Sequence, residues 1–401
     1  MLRFLTFCLL FIGSVVSSSA QIRILFDCTK AETAGNADWV IDADVHDIYW
    51  HPDAYTTGHG SDPQILPTPA QSTVTSTTPE TYWEGSLSSW GIDCVNYGYE
   101  VEELPVTGQI TYGNSSNPQD LSNYKVYVMD EPNIKFTTAE KTSMLQFVAN
   151  GGGLFMISDH NQSDRNNDGW DSPNIWNDFM GTVTPQNPFG IRFDLADFSA
   201  TSSNIANLPN DSVLHGPYGS VSQLQFNGAT TMTLSPDSNA SVKGVIFTTG
   251  SSNSGTTNVM FSHARFGKGK VAAISDSSPF DDGTGNPACT LYSSYATSVS
   301  GNHRKLIMNA TIWLAEEDSN QTTGINEIGE TNSFNLYKIN SSTLRVTSQD
   351  INDQPLEIYD VLGHKVISTQ ITAAAELVDI TNLSQGIYIA RIGNTSKKFF
   401  R

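Results

Sequence analysis

Basic residues are scarce in this sequence. Lysine and arginine together number 21 against 41 aspartates and glutamates, which gives a formal net charge of −20. A nucleic-acid surface needs clustered positive charge, whereas here the acids are scattered and the bases are few. We therefore predict no nucleic-acid partner. The bulk charge is typical of an acidic exported surface, so only local groups of acids count as evidence for a cation site.

Long apolar runs are also missing, apart from one at the start. Arg3 is followed by the apolar stretch 4–16 and then by Ser18-Ser19-Ala20. This is the pattern of a cleaved signal peptide over residues 1–20, and it predicts a mature chain that begins near Gln21. No other segment approaches the roughly eighteen apolar residues of a membrane span. The sequence thus predicts export without an integral membrane segment.

Cysteine is rare, and its number argues against a disulfide framework. Of the 4 cysteines, Cys8 lies in the predicted signal peptide. The other three, Cys28, Cys94 and Cys289, are an odd number for an exported chain, so at least one thiol must stay unpaired. A Cys28–Cys289 bridge and buried free thiols both remain open. We assign catalysis to none of them.

The common catalytic fingerprints are absent. The sequence contains no Gly-x-Ser-x-Gly elbow, no Walker loop and no dinucleotide-binding glycine motif. Serine hydrolysis is therefore the minor enzymatic interpretation, with Ser158 or Ser277 as its only candidate nucleophiles.

The most informative stretch is 151–171, GGGLFMISDHNQSDRNNDGWD. Its apolar run, Leu154–Ile157, has the pattern of a strand covered on both faces in a parallel sheet. The preceding stretch 136–150 predicts a helix with Thr137 or Thr138 as its N-cap. The strand ends at Ser158-Asp159-His160, and ligands of open α/β sheets bind outside the carboxyl ends of strands. We expect the functional site here.

Other predicted strands of the same region also end in acids. The strand 22–27 ends in Asp27, the strand 124–130 in Asp130 and Glu131, and the strand 270–275 is followed by Asp276, with Asp281 and Asp282 in the next loop. Helical patterns at 80–97 and 303–315 complete a β-α-β rhythm. The fold class predicted for residues 21–315 is α/β, with a mostly parallel, doubly wound sheet.

Acids at the ends of parallel strands meet at one edge of the sheet. Crowded carboxylates cannot all stay ionised unless a cation or protons neutralise them. We predict catalysis by Asp159, His160 and Asp276, and a metal held by Asp27, Asp130, Glu131, Asp281 and Asp282. With His160, together with His46 or His59 from the long polar segment 28–79, zinc or manganese is an alternative metal, with bound water as the nucleophile. The competing interpretation is that these acids cap helices and tie loops together.

A second cation site is predicted in the loop that follows the central strand. Asp164, Asn166 and Asp168 alternate and Gly169 follows them, which is the spacing of oxygen ligands in a calcium loop. Position twelve is Ile175 rather than the glutamate of an EF-hand, so Asp171 is the candidate substitute. The most probable divalent cation is calcium; a plain Asx-turn loop is the alternative.

The last part of the chain changes character. Residues 316–333 are polar and without periodicity, and they predict a linker. Residues 334–401 contain short β-rich runs separated by turn residues, and they predict a small all-β sandwich.

This tail contains LEIYDVLGHKV, VDITNLSQGIYIARI and a terminal KKFFR. In these segments and their order it resembles the C-terminal sorting domain of cargo for the type IX secretion system of Bacteroidetes-type bacteria, although the usual Asn-Pro near its start is missing. The resemblance implies passage through the periplasm, handling by the type IX machinery, and release or anchoring at the outer-membrane surface.

The larger region contains FVANGGGLFMISDH and FGKGKVAAISDSSP. These segments resemble the class I glutamine-amidotransferase-like fold, in its trehalose-utilisation-protein-like branch, over most of residues 22–315. Such amidotransferases present a nucleophilic cysteine at a strand-to-helix elbow, whereas the matching strand end here is Ser158-Asp159-His160. Amidotransferase activity is therefore not expected.

Two functions follow from this sequence. The first is a secreted metal-dependent hydrolase that acts on an extracellular carbohydrate or other polymer. The second is a non-enzymatic, calcium-stabilised surface-binding protein, so the sequence alone leaves enzymatic activity open. The substrate class in the first rests on the export signal and on the aromatic residues of the long segment 28–79.

Overall fold

The computed structural model describes residues 21–35, 37–42, 71–79, 82–83, 85–284, 292–298, 301–316, 334–340, 342–348, 355–372, 375–384, 386–393 and 395–401. Several predicted features lie outside the described residues. They are the signal peptide, His46, His59, Cys289 and most of the linker 316–333.

Helices and strands alternate as far as α3, a run of strands follows before α4, and the tail consists of strands alone. The helices are α1 (Ser88–Tyr97), α2 (Thr138–Ala149), α3 (Ser172–Thr182) and α4 (His303–Ala315). The strands of the larger region are β1 (Arg23–Asp27), β2 (Glu100–Leu104), β3 (Val126–Asp130), β4 (Gly153–Ile157), β5 (Ile191–Phe193), β6 (Phe198–Ser202), β7 (Asn204–Ile205), β8 (His215–Gly216), β9 (Gly219–Ser220), β10 (Leu224–Ala229), β11 (Met232–Leu234), β12 (Lys243–Phe247), β13 (Val259–Phe266) and β14 (Gly269–Ile274). The strands of the tail are β15 (Phe334–Asn340), β16 (Thr343–Ser348), β17 (Pro355–Asp360), β18 (Lys365–Gln370), β19 (Ala375–Asp379), β20 (Ile387–Ile392) and β21 (Thr395–Phe400).

A parallel block forms one half of the main sheet, in the order β2-β1-β3-β4-β14. Its register aligns the strand ends: Asp130 pairs with Ile157, and Ile157 pairs with Ile274. Chain order reverses between β1 and β3, because β2 lies on one side of β1 and β3 on the other. Such a reversal opens a crevice at the carboxyl ends of the strands, where ligands of α/β sheets bind.

The α/β class is confirmed, but the prediction of a mostly parallel, doubly wound sheet needs correction. The main sheet has ten strands and continues from β14 through antiparallel strands. The reason is a tight turn: Gly267, with φ +59°, joins β13 directly to β14. A connection this short can only pair strands antiparallel, since a parallel crossover needs a dozen or more residues. The sheet is therefore mixed, and several small antiparallel pairs flank it.

Helices cover the parallel block on both faces. Along β4, Phe155 and Ile157 belong to a core shared with residues of α1 and α4, whereas Leu154 and Met156 belong to a second core shared with α2 and α3. Side chains of a strand alternate between faces, so a strand buried on both faces is apolar throughout. This explains the unbroken apolar run that predicted β4.

Helix α2 begins at the predicted N-cap. Thr137 accepts a hydrogen bond at its side chain from the Glu140 amide at 3.3 Å, and Glu140 accepts one from the Thr137 amide at 2.7 Å. This reciprocal capping box satisfies two amides that have no partner within the helix, which stabilises such helices by about 1 kcal/mol. Glu140 also pairs with Lys30 at 2.6 Å and so attaches the helix start to the segment that follows β1.

The tail forms two sheets, β15-β16-β19 and β18-β17-β20-β21. Both sheets contribute to one small core, which includes Leu344 and Val346 from the first and Leu356, Ile358 and Ala390 from the second. The predicted small sandwich is confirmed in this arrangement. Across the described ranges, none of the helices has the length and apolar character of a membrane span.

Candidate functional site

Four neighbouring strand ends bring acids to one edge of the main sheet. Asp27 ends β1, Asp130 and Glu131 end β3, Asp159 follows β4, and Asp276 follows β14. All are buried: Glu131 and Asp276 are 0% exposed, and Asp27, Asp130 and Asp159 are 2–3% exposed. The parallel register aligns these ends, so the prediction that the acids share one edge agrees with where the chain places them.

Arg165 lies among these acids and was not predicted. Its guanidinium donates to both carboxylate oxygens of Glu131, with the Nη2–Oε2 distance at 3.0 Å, and Nη2 also donates to Asp159 Oδ2 at 3.1 Å. The Arg165 amide donates to Asn133 Oδ1 at 3.0 Å, which fixes the loop over the strand ends. A fixed cation therefore occupies the space between two of the predicted site acids. The only signal in the sequence was a lone arginine inside an acid-rich loop.

Glu131 is the acid most tightly held by its surroundings. Besides Arg165, its carboxylate accepts hydrogen bonds from Trp39 Nε1 at 2.6 Å and from Ser277 Oγ at 2.8 Å. Its backbone has φ +45°, in the left-handed region that non-glycine residues adopt at a cost of about 1–3 kcal/mol. The hydrogen bonds from three separate segments hold the residue there. Such strain is concentrated at functional sites.

Protons neutralise part of the remaining negative charge. Burial raises the pKa of Asp276 to about 8, against the opposing effect of amides from Ser278 and Asn227 that donate to its carboxylate at 2.8 and 2.7 Å. Burial and the nearby charge of Glu131 also raise the pKa of Asp159 well above its usual value, while Arg165 lowers it. Asp276 is thus mainly protonated at neutral pH.

Asp130 is buried without any hydrogen bond to its carboxyl group from the described residues. Burial raises its pKa well above the usual value, and the neighbouring charge of Glu131 adds to the shift. An ionised carboxylate in such surroundings would be costly, so the neutral form is favoured. The negative charge of the strand-end carboxylates is therefore offset by Arg165 and by bound protons.

His160 is the part of the cluster that reaches solvent. Its side chain is 29% exposed, and Nδ1 lies 2.8 Å from the carbonyl oxygen of Asn161, which makes Nδ1 the donor. Nε2 then carries the lone pair, and it lies 3.9 Å from Asp159 Oδ2. Gly228 lies against this ring: with φ +68°, a Cβ added there would be 3.3 Å from His160 Cδ2.

An irregular stretch within β10, between Phe226 and Ala229, connects His160 with Asp276. Asn227 donates its amide to Asp276, and the next residue, Gly228, approaches His160. Tyr292, which is 37% exposed, lies close enough for the charges of Asp276 and Asp159 to raise the pKa of its hydroxyl further, beyond the effect of burial. Asn227 and Gly228 therefore connect a buried carboxyl, Asp276, with a partly exposed imidazole, His160.

Asp27 belongs to a separate neighbouring network. Its carboxylate accepts hydrogen bonds from the Thr29 amide at 2.8 Å and from the Tyr127 hydroxyl at 2.5 Å. Burial raises its pKa, and the buried Glu32 beside it has a pKa raised well above the usual value by burial and by the charge of Asp27. Across the described residues, no hydrogen bond links Asp27 to Asp159 or Asp276.

Asp281 and Asp282 hold loops together. Asp281 accepts hydrogen bonds from the Gly283 and Tyr292 amides at 2.8 and 2.7 Å. Asp282 accepts from the Ser89 amide at 2.7 Å and from the Thr284 amide at 2.8 Å. For these two acids the observed contacts are those of the loop-tying interpretation.

In the predicted calcium loop, most of the oxygen ligands accept backbone amides. Asp164 accepts from Asp168 and Gly169 at 3.1 and 2.8 Å, and Asp168 accepts from Trp170 at 2.9 Å. Asp171 caps α3 through the Asn174 amide at 3.0 Å. Among the described residues no group of His, Cys, Asp or Glu side chains is arranged to hold a metal ion. Binding of calcium here stays a prediction.

Among the cysteines whose pairing the sequence left open, Cys94 is a buried free thiol, and burial raises its pKa. Cys28 is buried. Its suggested bridge to Cys289 involves a residue outside the described ranges, so the alternatives for that pair stay as the sequence left them.

Comparison with known proteins identifies the tail. Residues 338–401 match the family described as "Secretion system C-terminal sorting domain". This is the sorting domain of the type IX secretion system, so the type IX machinery handles the chain, which is exported and either secreted or attached to the outer surface. No curated protein matches the sequence.

Solved structures resemble the chain only distantly. The "mmIFT52 N-terminal domain" is 14% identical, with a TM-score of 0.42 over 74% of this chain and 98% of that one. A putative ThuA-like protein from Parabacteroides merdae is 10% identical, with a TM-score of 0.32 over 56% of this chain and 82% of that one. An exo-beta-1,4-mannosidase from an Opitutaceae bacterium is 9% identical, with a TM-score of 0.32 over 75% and 37%. The fold described above therefore rests on the chain's own topology.

Proposed function

We propose that this exported chain is a hydrolase whose active site consists of Asp159, His160, Arg165 and Asp276. The observation that carries the proposal is that Asn227 and Gly228 connect the buried Asp276 carboxyl, whose pKa is raised to about 8, with the partly exposed imidazole of His160. A carboxyl with a raised pKa and an imidazole are side chains that serve as general acid and general base in hydrolases.

The residues divide the work as follows. His160 Nε2 takes a proton from a water molecule as its oxygen attacks the electrophilic atom of the substrate. Asp276 gives its proton to the departing oxygen as the scissile bond breaks, so the two proton transfers balance. Arg165 keeps a fixed positive charge beside Asp159, 3.1 Å away, and so holds this carboxylate in place near His160.

The carboxylates of Glu131, Asp159 and Asp276 are arranged less suitably for a metal ion than for the guanidinium of Arg165. A divalent ion bound between Glu131 and Asp159 would occupy the space that the guanidinium fills, and Asp276 uses both oxygens on amides. The steps above therefore use no metal. Metal dependence, as predicted from the sequence, becomes an outcome of the test.

The substrate that fits the export signal is a polymer outside the cell, and a polysaccharide is the first choice. Glycosidic bonds are cleaved with the help of a general acid and a general base, and these are the roles that we assign to Asp276 and His160. A surface-binding protein without turnover is the rival, because acids of this region also tie loops together.

The full mature chain should be tested against a panel of extracellular polysaccharides, peptidoglycan and polyesters. We expect turnover of one class, and a fall in kcat of about 10²–10⁴-fold for His160→Asn and Asp276→Asn. Asp237→Asn, which changes an exposed acid elsewhere, is the matched control and should keep full activity. Activity that a chelator removes and a divalent ion restores would favour the metal mechanism. No turnover on any class, or full activity of both site variants, would overturn the proposal.

A further inference from the structure

A cavity of about 570 Å³ opens between α1 and the start of α4. Its volume lies within the range of small-molecule sites. Its lining includes Asn96, Tyr218, Tyr295, Arg304 and Lys305. None of the residues assigned to hydrolysis lines it.

The floor of this cavity is built from buried polar contacts. Asp93, whose side chain is 6% exposed, accepts hydrogen bonds from Arg304 Nε and Nη2 at 2.7 and 2.6 Å. The Tyr295 hydroxyl donates to the same carboxylate at 2.8 Å. Asp93 therefore fixes the guanidinium plane and leaves Nη1 of Arg304 without a hydrogen bond to the described residues. The Arg304 side chain is 52% exposed, so this edge remains accessible.

The charge of the cavity is opposite to that of the whole protein. Arg304 and Lys305 are its cationic lining residues and Asp93 is its one acidic lining residue in the described part of the chain. Lys305 is exposed and forms no ion pair with the described residues. The formal net charge of the chain is −20, which opposes non-specific binding of anions. A locally positive cavity on such a protein favours one anionic ligand at a defined place.

Aromatic and neutral polar groups complete the lining. The half-buried ring of Tyr218 lies with its centroid 5.7 Å from the Arg304 guanidinium carbon, and Asn96, Ser76 and Thr78 add amide and hydroxyl groups. A sugar ring stacks on an aromatic face and exchanges hydrogen bonds with such groups, and a carboxylate on that ring pairs with arginine and lysine. A neutral sugar would leave the two cations unused.

We propose that this cavity binds an acidic sugar unit, such as a uronic acid, of an extracellular polysaccharide. Segment 292–298 links the cavity to the strand-end site, because Tyr295 lines the first and Tyr292 borders the second. A polysaccharide held by one acidic unit in the cavity is thereby kept near the strand ends. The binding itself does not depend on hydrolysis.

Calorimetry with the full mature chain tests this directly. The probes are trigalacturonate and the neutral trimer of galactose. We expect binding of trigalacturonate only, weakened by salt, and a loss of about tenfold in affinity for each of Lys305→Gln and Tyr218→Ala. Lys268→Gln, in the exposed turn between β13 and β14, is the matched control and should bind as the wild type.

The result is separable from the proposed hydrolysis. Asp276→Asn should bind trigalacturonate unchanged, so a chain that binds but does not cleave supports the cavity and refutes only the hydrolase. Melting temperatures of the variants establish that each is folded. Equal binding of the neutral trimer, no binding of trigalacturonate, or unchanged affinity of both cavity variants would overturn the proposal.

Discussion

The acids of the main sheet and the acids of the tail sandwich have opposite surroundings. In the tail, the Glu357 carboxylate accepts a hydrogen bond from the Tyr359 hydroxyl and pairs with Lys365 at 2.9 Å. These contacts lower the pKa of Glu357. The pKa of Asp360 is lowered by the His364 amide in the same way. At the strand ends of the main sheet, burial instead raises the pKa values of Asp130, Asp159 and Asp276.

The contrast separates acids that serve stability from acids that reduce it. Water and exposed partners stabilise the carboxylates of the tail, so the charged form is the ordinary state. The strand-end acids are removed from water, and only Arg165 and protons offset that loss. Buried acids with perturbed pKa values at the carboxyl ends of parallel strands mark a place where function is expected.

We expect the largest effect, a loss of secretion, when the tail is deleted from the chain. Deletion of residues 334–401 removes the sorting domain together with its own small core. We expect the producing cell to retain the truncated chain while residues 21–315 stay folded, since the tail is not part of the main sheet. Fractionation of cells and circular dichroism check the two parts. Secretion of the truncated chain at the level of the full chain would contradict the prediction.

Arg165→Gln should be the most damaging single change at the strand ends. It leaves Glu131 and Asp159 buried without their cation, and removing one partner of a buried ion pair costs about 3–5 kcal/mol. The loss should be smaller at pH 5 than at pH 7, because the pKa of Asp159 is raised and this carboxyl then takes up a proton more readily. Urea unfolding at both pH values measures it.

The matched control for this substitution is Lys365→Gln in the tail, where the pair is exposed. We expect no measurable loss of stability there. Equal losses for the two variants would remove the contrast between the regions.

The two regions should also differ in how pH changes their stability. Asp276 has a folded-state pKa of about 8 against an ordinary value of 3.8. The folded state therefore binds its proton more tightly than the unfolded state, and stability falls as pH rises from about 4 to about 8, by at most about 1.4 kcal/mol per pH unit for one group. Asp276→Asn, which cannot ionise, should flatten this part of the curve.

The tail acids have lowered pKa values, so their contribution has the opposite sign. It is present above the ordinary value of 3.8 for Asp360 and Asp379 and is lost as pH falls below it. Melting curves from pH 4 to pH 9 of the wild type and Asp276→Asn measure the first effect. Parallel curves for the two proteins would show that Asp276 ionises normally.

The smallest effect concerns the loop that contains Asp164, Asn166 and Asp168. If it binds calcium, the ion should raise the melting temperature by a few degrees through mass action on the folded state. Asp168→Ala should abolish that increase and leave the far-ultraviolet spectrum unchanged. A melting temperature that neither calcium nor a chelator alters would leave the loop as the Asx turn that its hydrogen bonds describe.

Local patterns in the sequence predicted much of this fold. The apolar run before Ser158 became β4, the N-cap at Thr137 became a capping box, and the helix predicted at 303–315 has those bounds. The acids after β3, β4 and β14 were found because each directly follows an apolar strand. These features depend on neighbours in sequence, which is why the pattern reveals them.

Features that depend on distant contacts were missed. Arg165 meets Glu131 and Asp159 only because its loop folds back over the sheet, and no spacing in the sequence encodes that. The Trp39–Glu131 hydrogen bond joins segments far apart in the chain. The antiparallel half of the sheet was missed for a different reason, because the turn at Gly267 was not used to set strand direction.

The order of the strands also has a consequence for the time course of folding. Strand β4 pairs on one side with β14, so Gly153 pairs with Lys270, which comes much later in the chain. Contacts this distant in sequence close slowly, because a long loop must lose its entropy before the pairing stabilises it. Asp276 follows directly after β14. Its carboxyl therefore reaches the other acids only through a pairing that is distant in sequence, whereas Arg165 and Asp159 are close neighbours in the chain.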